Sequence, residues 1–212
     1  MRHDVLQRVE GKRVYLRPFT LEDTEKVFRM SIESGMKQWI PDQVYESVAH
    51  AREVLTFLSE QYESPGGPAD KPLVFGVCLK STGELIGHVG LSPLKTDVEV
   101  GYAIEECQQG HGYAADAVHT MTAWAMEQYR LPLVLGVVPA DNHASIRTLE
   151  NSGFQFCREV RRRFHGRLTQ VRIYELASAA PTKSPRQTRG KSSVEKDKKL
   201  VIIGSTRKDE GR

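Results

Sequence analysis

Apolar and polar positions alternate along RVYLRPF, Arg13–Phe19, as in a strand with one buried face. Thr20 with Asp23 three residues on forms a capping box, Asp replacing the usual Glu, that opens a helix over LEDTEKVFRMSI. In VYESVAHAREVLTFLSEQY the residues Val48, Ala51, Leu55 and Leu58 share one helical face, and the Pro/Gly-rich ESPGGPADK ends that helix. Three strands follow with short links: LVFGVCL from Leu73, ELIGHVGL from Glu84 and DVEVGYAI from Asp97, an antiparallel meander. A glycine-bearing loop leads into the amphipathic helix YAADAVHTMTAWAMEQY and then into LVLGVV from Leu133, a continuous apolar run of the kind that parallel pairing buries. NHASIRTLENSGF predicts a short helix stopped at Gly153, and FQFCREVRRRFHGRLTQVRIYEL a hairpin turning at His165-Gly166. The predicted class is α+β, a mixed and mostly antiparallel sheet flanked by helices, with one parallel βαβ crossover.

A chain of 212 residues, 39% apolar, can bury one substantial core. No apolar run approaches the length of a bilayer crossing, and MRHDVLQRVE lacks the apolar stretch of a signal peptide, so a cytoplasmic protein without membrane contact is expected. The net charge of +3 is uneven: Ser178–Arg212 carries ten Lys or Arg against four Asp or Glu, a net +6, which leaves residues 1–177 at −3. A mildly acidic body lacks the basic face of a dedicated nucleic-acid binder. The Ser-, Pro- and Lys-rich tail has the composition of a disordered segment able to touch polyanions. One domain over 1–177 and a basic tail over 178–212 are therefore expected. Cys78, Cys107 and Cys157 lie far apart with no CxxC pair and read as buried free thiols. His88, His111, His119 and His143 have no partner at metal-ligand spacing and read as surface or core residues, so no metal is expected.

The loop QQGHGYAADA, Gln108–Ala117, places Gly110 and Gly112 between a strand and a helix beginning near Tyr113. Bare backbone beside a helix N-terminus suits a phosphate. The spacing also satisfies a dinucleotide fingerprint, but only one βαβ unit is present, and the first acidic residue past the following strand, Asp141, lies beyond the position expected for a ribose partner. A triphosphatase loop is excluded because no Gly-Lys-Ser or Gly-Lys-Thr occurs.

The run Gln109-x-x-Gly112-x-Ala114, followed about thirty residues later by Asn142-x-x-Ser145 and then LENSGF, resembles the GCN5-related N-acetyltransferase family. The opening YLRPFTLEDTEKVF and the Ser three residues after Asn142 resemble its branch of ribosomal-protein alanine N-acetyltransferases. The resemblance implies acetyl-CoA as co-substrate and direct transfer in a ternary complex without metal. It implies that the loop Gln109, Gly110, His111, Gly112, Tyr113, Ala114 and Ala115 wraps the pyrophosphate. It also implies that amides at Tyr102, Ala103 and Ile104 hold the pantetheine and acetyl carbonyl where this strand splays from its parallel neighbour, and that Asn142 contacts the pantetheine arm. The acceptor is a primary amine, either a protein N-terminus or a small amine such as a polyamine or amine antibiotic. A catalytically silent CoA-binding module is the non-enzyme alternative, and the chain would be a monomer or homodimer.

Acetyl transfer to an amine of pKa about 8 to 10 needs a base, a stabilised oxyanion and a partner for the departing thiolate. Glu99 projects from the strand face opposite Val98 and Val100, just before the thioester-holding amides, and is the candidate base; a solvated strand carboxylate is the alternative. Many members of the family carry a Tyr four residues before the Gly-Phe pair, where this chain has Leu149, which leaves Ser145 to face the thiol or to stabilise its helix N-terminus. Tyr113 offers another hydroxyl beside the loop. Trp39 falls between the first two predicted helices, where the resemblance puts the acceptor wall. Trp124 reads as core, and the arginines of REVRRRFHGR, 158–167, as a solvated hairpin, with attraction of an acidic acceptor as the alternative.

Overall fold

The structure, a computed structural model, describes residues 8–178; the tail expected over 178–212 lies, beyond Ser178, outside the described residues. Eight strands form one sheet: β1 (Val9–Glu10), β2 (Val14–Arg17), β3 (Leu73–Leu79), β4 (Leu85–Leu94), β5 (Asp97–Ile104), β6 (Leu133–Pro139), β7 (Gln155–Phe164) and β8 (Arg167–Ala177). Their order is β1-β2-β3-β4-β5-β6-β8-β7, and every pairing is antiparallel except β5 with β6. The α+β class and the single parallel crossover thus stand as predicted. Five helices flank the sheet: α1 (Thr24–Ser31), α2 (Ser34–Trp39), α3 (Val48–Glu63), α4 (Tyr113–Gln128) and α5 (His143–Asn151).

Two apolar layers hold the sheet between them. Phe75, Val89, Val100, Val118, Met121 and Tyr174 belong to the larger cluster, on the side of α4. On the other side Phe19, Leu55, Leu58 and Val74 pack under α1 and α3. Trp124 packs against the larger cluster as expected, its ring 5.5 Å from that of Phe75. The start of the chain is fastened to α4 by Asp116, whose carboxylate accepts from the backbone N–H of Lys12, Arg13 and Val14 at 3.0, 2.6 and 3.1 Å. Lys12 and Arg13 lie in the turn before β2 and Val14 opens that strand, and one carboxylate serves the amides of all three.

Some expectations change in detail. The Thr20–Asp23 box caps a 3-10 turn, Leu21–Asp23, and α1 starts at Thr24; Asp23 also accepts from both terminal guanidinium nitrogens of Arg17 at 2.7 Å. The apolar run of β6 is not buried by parallel pairing: it meets β5 at one register pair and runs antiparallel to β8 along its length. Only Cys78 is buried; Cys107 sits in an exposed 3-10 turn and Cys157 at the bulge of the edge strand β7, so two of the three thiols face solvent. The six-residue α2 is too short to show a helical period and was not predicted.

Candidate active site

β5 pairs with β4 from Asp97 to Ile104, but with β6 only at Glu99↔Leu135. Past that pair the two strands diverge, leaving the backbone of Gly101–Ile104 without a strand partner on the β6 side. The divergence opens a cleft of about 810 Å³ lined by Tyr102, Ala103 and Ile104, the glycine loop, Asn142 and Ser145. Gln109 folds back to donate from Nε2 to the Ile104 carbonyl at 2.9 Å, which fixes the exit of the strand. Gly110 and Gly112 then adopt φ of +80° and +74°, a left-handed backbone that Gly tolerates without strain. A Cβ at Gly110 would meet nothing within 4 Å, whereas one at Gly112 would lie 2.7 Å from the guanidinium of Arg13. That guanidinium donates to the His111 carbonyl at 2.5 Å and so ties the loop to the start of β2. α4 begins at Tyr113, so the first-turn amides of Tyr113, Ala114 and Ala115 and the positive helix end face the loop's concavity. The exposed His111 ring stacks on Tyr113 at 5.6 Å. The donor set fits a pyrophosphate, with open space at Gly110 for its approach.

Asn142 is the N-cap of α5: its Oδ1 accepts from the Ser145 amide at 3.1 Å, which leaves its Nδ2 for a ligand in the cleft. Ser145 therefore need not cap its own helix, and its side chain lies in the cleft beside the Tyr102 hydroxyl. The Ser145 carbonyl accepts from the Tyr102 hydroxyl at 3.0 Å, a bond that crosses the gap between β5 and α5. Burial raises the Tyr102 phenol well above its ordinary value, so it stays a donor. Leu149 fills the place of the family's tyrosine with a 1% exposed side chain, and a Cβ on the facing Gly136 would come within 2.7 Å of it.

Glu99 lines the cleft with 4% exposure, and its Oε2 has no hydrogen-bond partner. Burial pushes its carboxyl up to about 7, opposed by the nearby charge of Arg162. A carboxylate that titrates near neutrality, faces a cleft and holds an unused lone pair is equipped to take a proton. It is not the solvated strand residue of the alternative reading.

The half-buried Trp39 ends α2 and lines the cleft beyond Glu99, together with Glu33, Gln43, Phe164 and His165. Burial and the neighbouring Glu106 and Glu105 raise the Glu33 carboxyl, although it accepts from the Glu106 amide at 3.0 Å. His165 Nδ1 meets Asp42 Oδ2 at 2.7 Å and ties the β7–β8 turn to the segment after α2. The expected solvated hairpin is thus half right: its tip forms a cleft wall, and Val160, Arg162 and Phe164 alternate as partly buried positions among exposed ones. That alternation was readable in REVRRRF, but which end of the sheet it faces was not. His88 is half-buried, and the packing around its ring holds it down to about 4, while His119 and His143 are exposed and away from the chemistry. Among the described residues no three His, Cys, Asp or Glu side chains cluster as metal ligands, and no helix is long and apolar enough to cross a membrane.

Residues 13–155 match the acetyltransferase (GNAT) domain family. The chain is 28% identical over 155 residues to "Probable N-acetyltransferase YjcK" of Bacillus subtilis (strain 168), covering 69% of this chain and 82% of that protein. Its fold is similar to the ribosomal-protein-S5-alanine acetyltransferase of Vibrio fischeri, with a TM-score of 0.68 at 17% identity over 82% of this chain and 97% of that one. It is likewise similar to Mycobacterium smegmatis RimJ in complex with CoA-disulfide, with a TM-score of 0.68 at 16% identity over 81% and 88% of the two chains. At such identities the two structures speak for the fold.

Proposed function

Because the chain belongs to the GNAT acetyltransferase family, we propose that its cleft passes the acetyl group of acetyl-CoA directly to the N-terminal amine of a protein. The observation that carries the chemistry is Glu99, a buried carboxylate with a free oxygen and a pKa of about 7 where the strands part. The protein acceptor is supported by the ribosomal-protein acetyltransferase of the same fold.

When bound, the thioester supplies an activated acyl carbon. The amides of Gly110–Ala115 and the N-terminus of α4 hold the pyrophosphate, and the open β5 backbone at Tyr102, Ala103 and Ile104 holds the pantetheine and the acetyl oxygen, helped by Asn142 Nδ2. Trp39 and Phe164 wall the acceptor side and exclude water. Glu99 takes one proton from the incoming ammonium; the free amine attacks the acyl carbon, and as the C–S bond breaks the second proton lost by the nitrogen passes to the departing sulfur, which the Ser145 hydroxyl, one turn into α5, faces.

The test is acetyl-CoA-dependent mass gain on a panel of peptides with free N-termini and of small polyamines and amine antibiotics, alongside thermal stabilisation by acetyl-CoA, NAD and ATP. Stabilisation by acetyl-CoA alone and transfer to peptides are expected. Transfer confined to small amines overturns the protein acceptor, and acetyl-CoA binding without any transfer overturns the enzyme reading.

A further inference from the structure

We propose that the cleft-facing side of the β7–β8 hairpin docks an acidic stretch of the acceptor polypeptide lying a few residues behind its N-terminal amine; this rests on the function proposed above. Residues 158–167 hold five arginines and one glutamate in a body whose net charge outside the tail is −3. The one carboxylate, Glu159, is already taken by Arg172 at 2.9 Å. Arg158, Arg161, Arg162, Arg163 and Arg167 form no ion pair among the described residues. Five arginines without ion pairs, one of them, Arg162, near the charge of Glu99, form on one hairpin of an acidic body a concentrated field that draws an anionic partner.

The strand register decides which of them face the acceptor. The pairs Phe164↔Arg167, Arg162↔Thr169, Val160↔Val171 and Arg158↔Ile173 put Arg158, Arg162 and Arg167 on the same face as Phe164, which lines the cleft. Arg162 confirms this orientation, since its charge reaches Glu99. The charge then reverses inside the mouth, where Glu33, Glu99 and Glu106 line the wall. An acceptor that leads with a cation and continues with anions matches that order. A nucleic acid, anionic throughout, is repelled by the three glutamates and brings no aliphatic amine. Along β7, Arg158 lies six positions from Phe164, about 20 Å at the rise of a strand, so an extended peptide that passes Phe164 on its way into the cleft presents roughly five or six residues to the arginines.

The experiment measures kcat/KM for three synthetic peptides of about ten residues that share an N-terminal alanine and carry Asp/Glu, Asn/Gln or Lys at positions 3 to 7. At low salt the acidic peptide should exceed the neutral one by about tenfold, with the Lys peptide lowest, and the preference should shrink to about twofold at 0.5 M NaCl, where exposed pairs are screened. Arg158→Gln with Arg167→Gln should bring the acidic-to-neutral ratio towards one; Arg162 is left intact because it also acts on Glu99. Equal rates on acidic and neutral peptides, or a preference that ignores salt and the double variant, overturn the proposal and leave the arginines as guards against edge-strand pairing. Competitive inhibition by poly(U) without acidic-peptide preference also overturns it, in favour of RNA. Failure to acetylate any of the peptides rejects instead the function on which it rests.

Discussion

Replacing Glu99 by Gln should stabilise the protein while disabling it, and the pH at which this happens is set by the site. Burial holds the folded carboxyl at about 7 against an ordinary 4.5. Below about pH 4.5 the group is protonated in both folded and unfolded chains and costs nothing. As pH rises, the unfolded carboxyl ionises first, so the folded state loses stability through the window between the two values and carries the full penalty above about 7. The difference corresponds to about 3 kcal/mol. Gln keeps the shape, has no charge to desolvate and breaks no hydrogen bond at Oε2. Thermal unfolding of both proteins without acetyl-CoA, at steps from pH 4.5 to 8.5, should show matching Tm at the acidic end. At pH 8 the variant should be higher by about 6 to 12 °C, the shift expected for a domain of this size. The variant's turnover at pH 7 should fall, with the defect easing as pH rises and free amine accumulates. A Tm difference independent of pH, or a variant less stable at pH 8, would refute the account of a buried, unpartnered charge.

Gly112→Val should abolish thermal stabilisation by acetyl-CoA, because the new Cβ meets the Arg13 guanidinium at 2.7 Å and the backbone stands at φ +74°, so the loop must move; unchanged binding by calorimetry would remove the loop from the phosphate site. Ser145→Ala should lower kcat with KM for acetyl-CoA nearly unchanged, and, since Asn142 rather than Ser145 caps α5, should move Tm little; a kcat equal to that of the parent would return Ser145 to a bystander. Asp116→Ala strands three backbone donors and should lower stability by roughly 2 to 4 kcal/mol in urea unfolding, whereas a loss below about 1 kcal/mol would mean that water replaces the carboxylate.

Local chemistry made much of this legible in the sequence. Gly110 and Gly112 announced a loop with bare backbone, Tyr113 the helix start and His165-Gly166 the turn, where φ values of +46° and +78° now stand. Each is decided within a few residues. Glu99 was placed on a strand face by alternation alone, but its surroundings come from distant parts of the chain, the hairpin with Arg162 among them. No pattern near residue 99 reports them. Trp39 was assigned to the acceptor wall without the helix that carries it, and Phe164 and His165 were missed because a hairpin's sequence fixes its turn and not the direction in which it leans. β6 read as a parallel strand since an apolar run signals burial on both faces and is silent about which neighbour provides it.

The single rung joining β5 to β6 divides the sheet into two plates, one made of β1–β5 with α1–α3 and the other of β6–β8 with α5, while α4 lies across both as a spine. A rotation of one plate against the other about that rung would move the far ends of the wedge furthest and Glu99, which belongs to the rung, least. The Tyr102–Ser145 bond spans the wedge as a strut, so widening it would stretch one hydrogen bond rather than unravel a ladder.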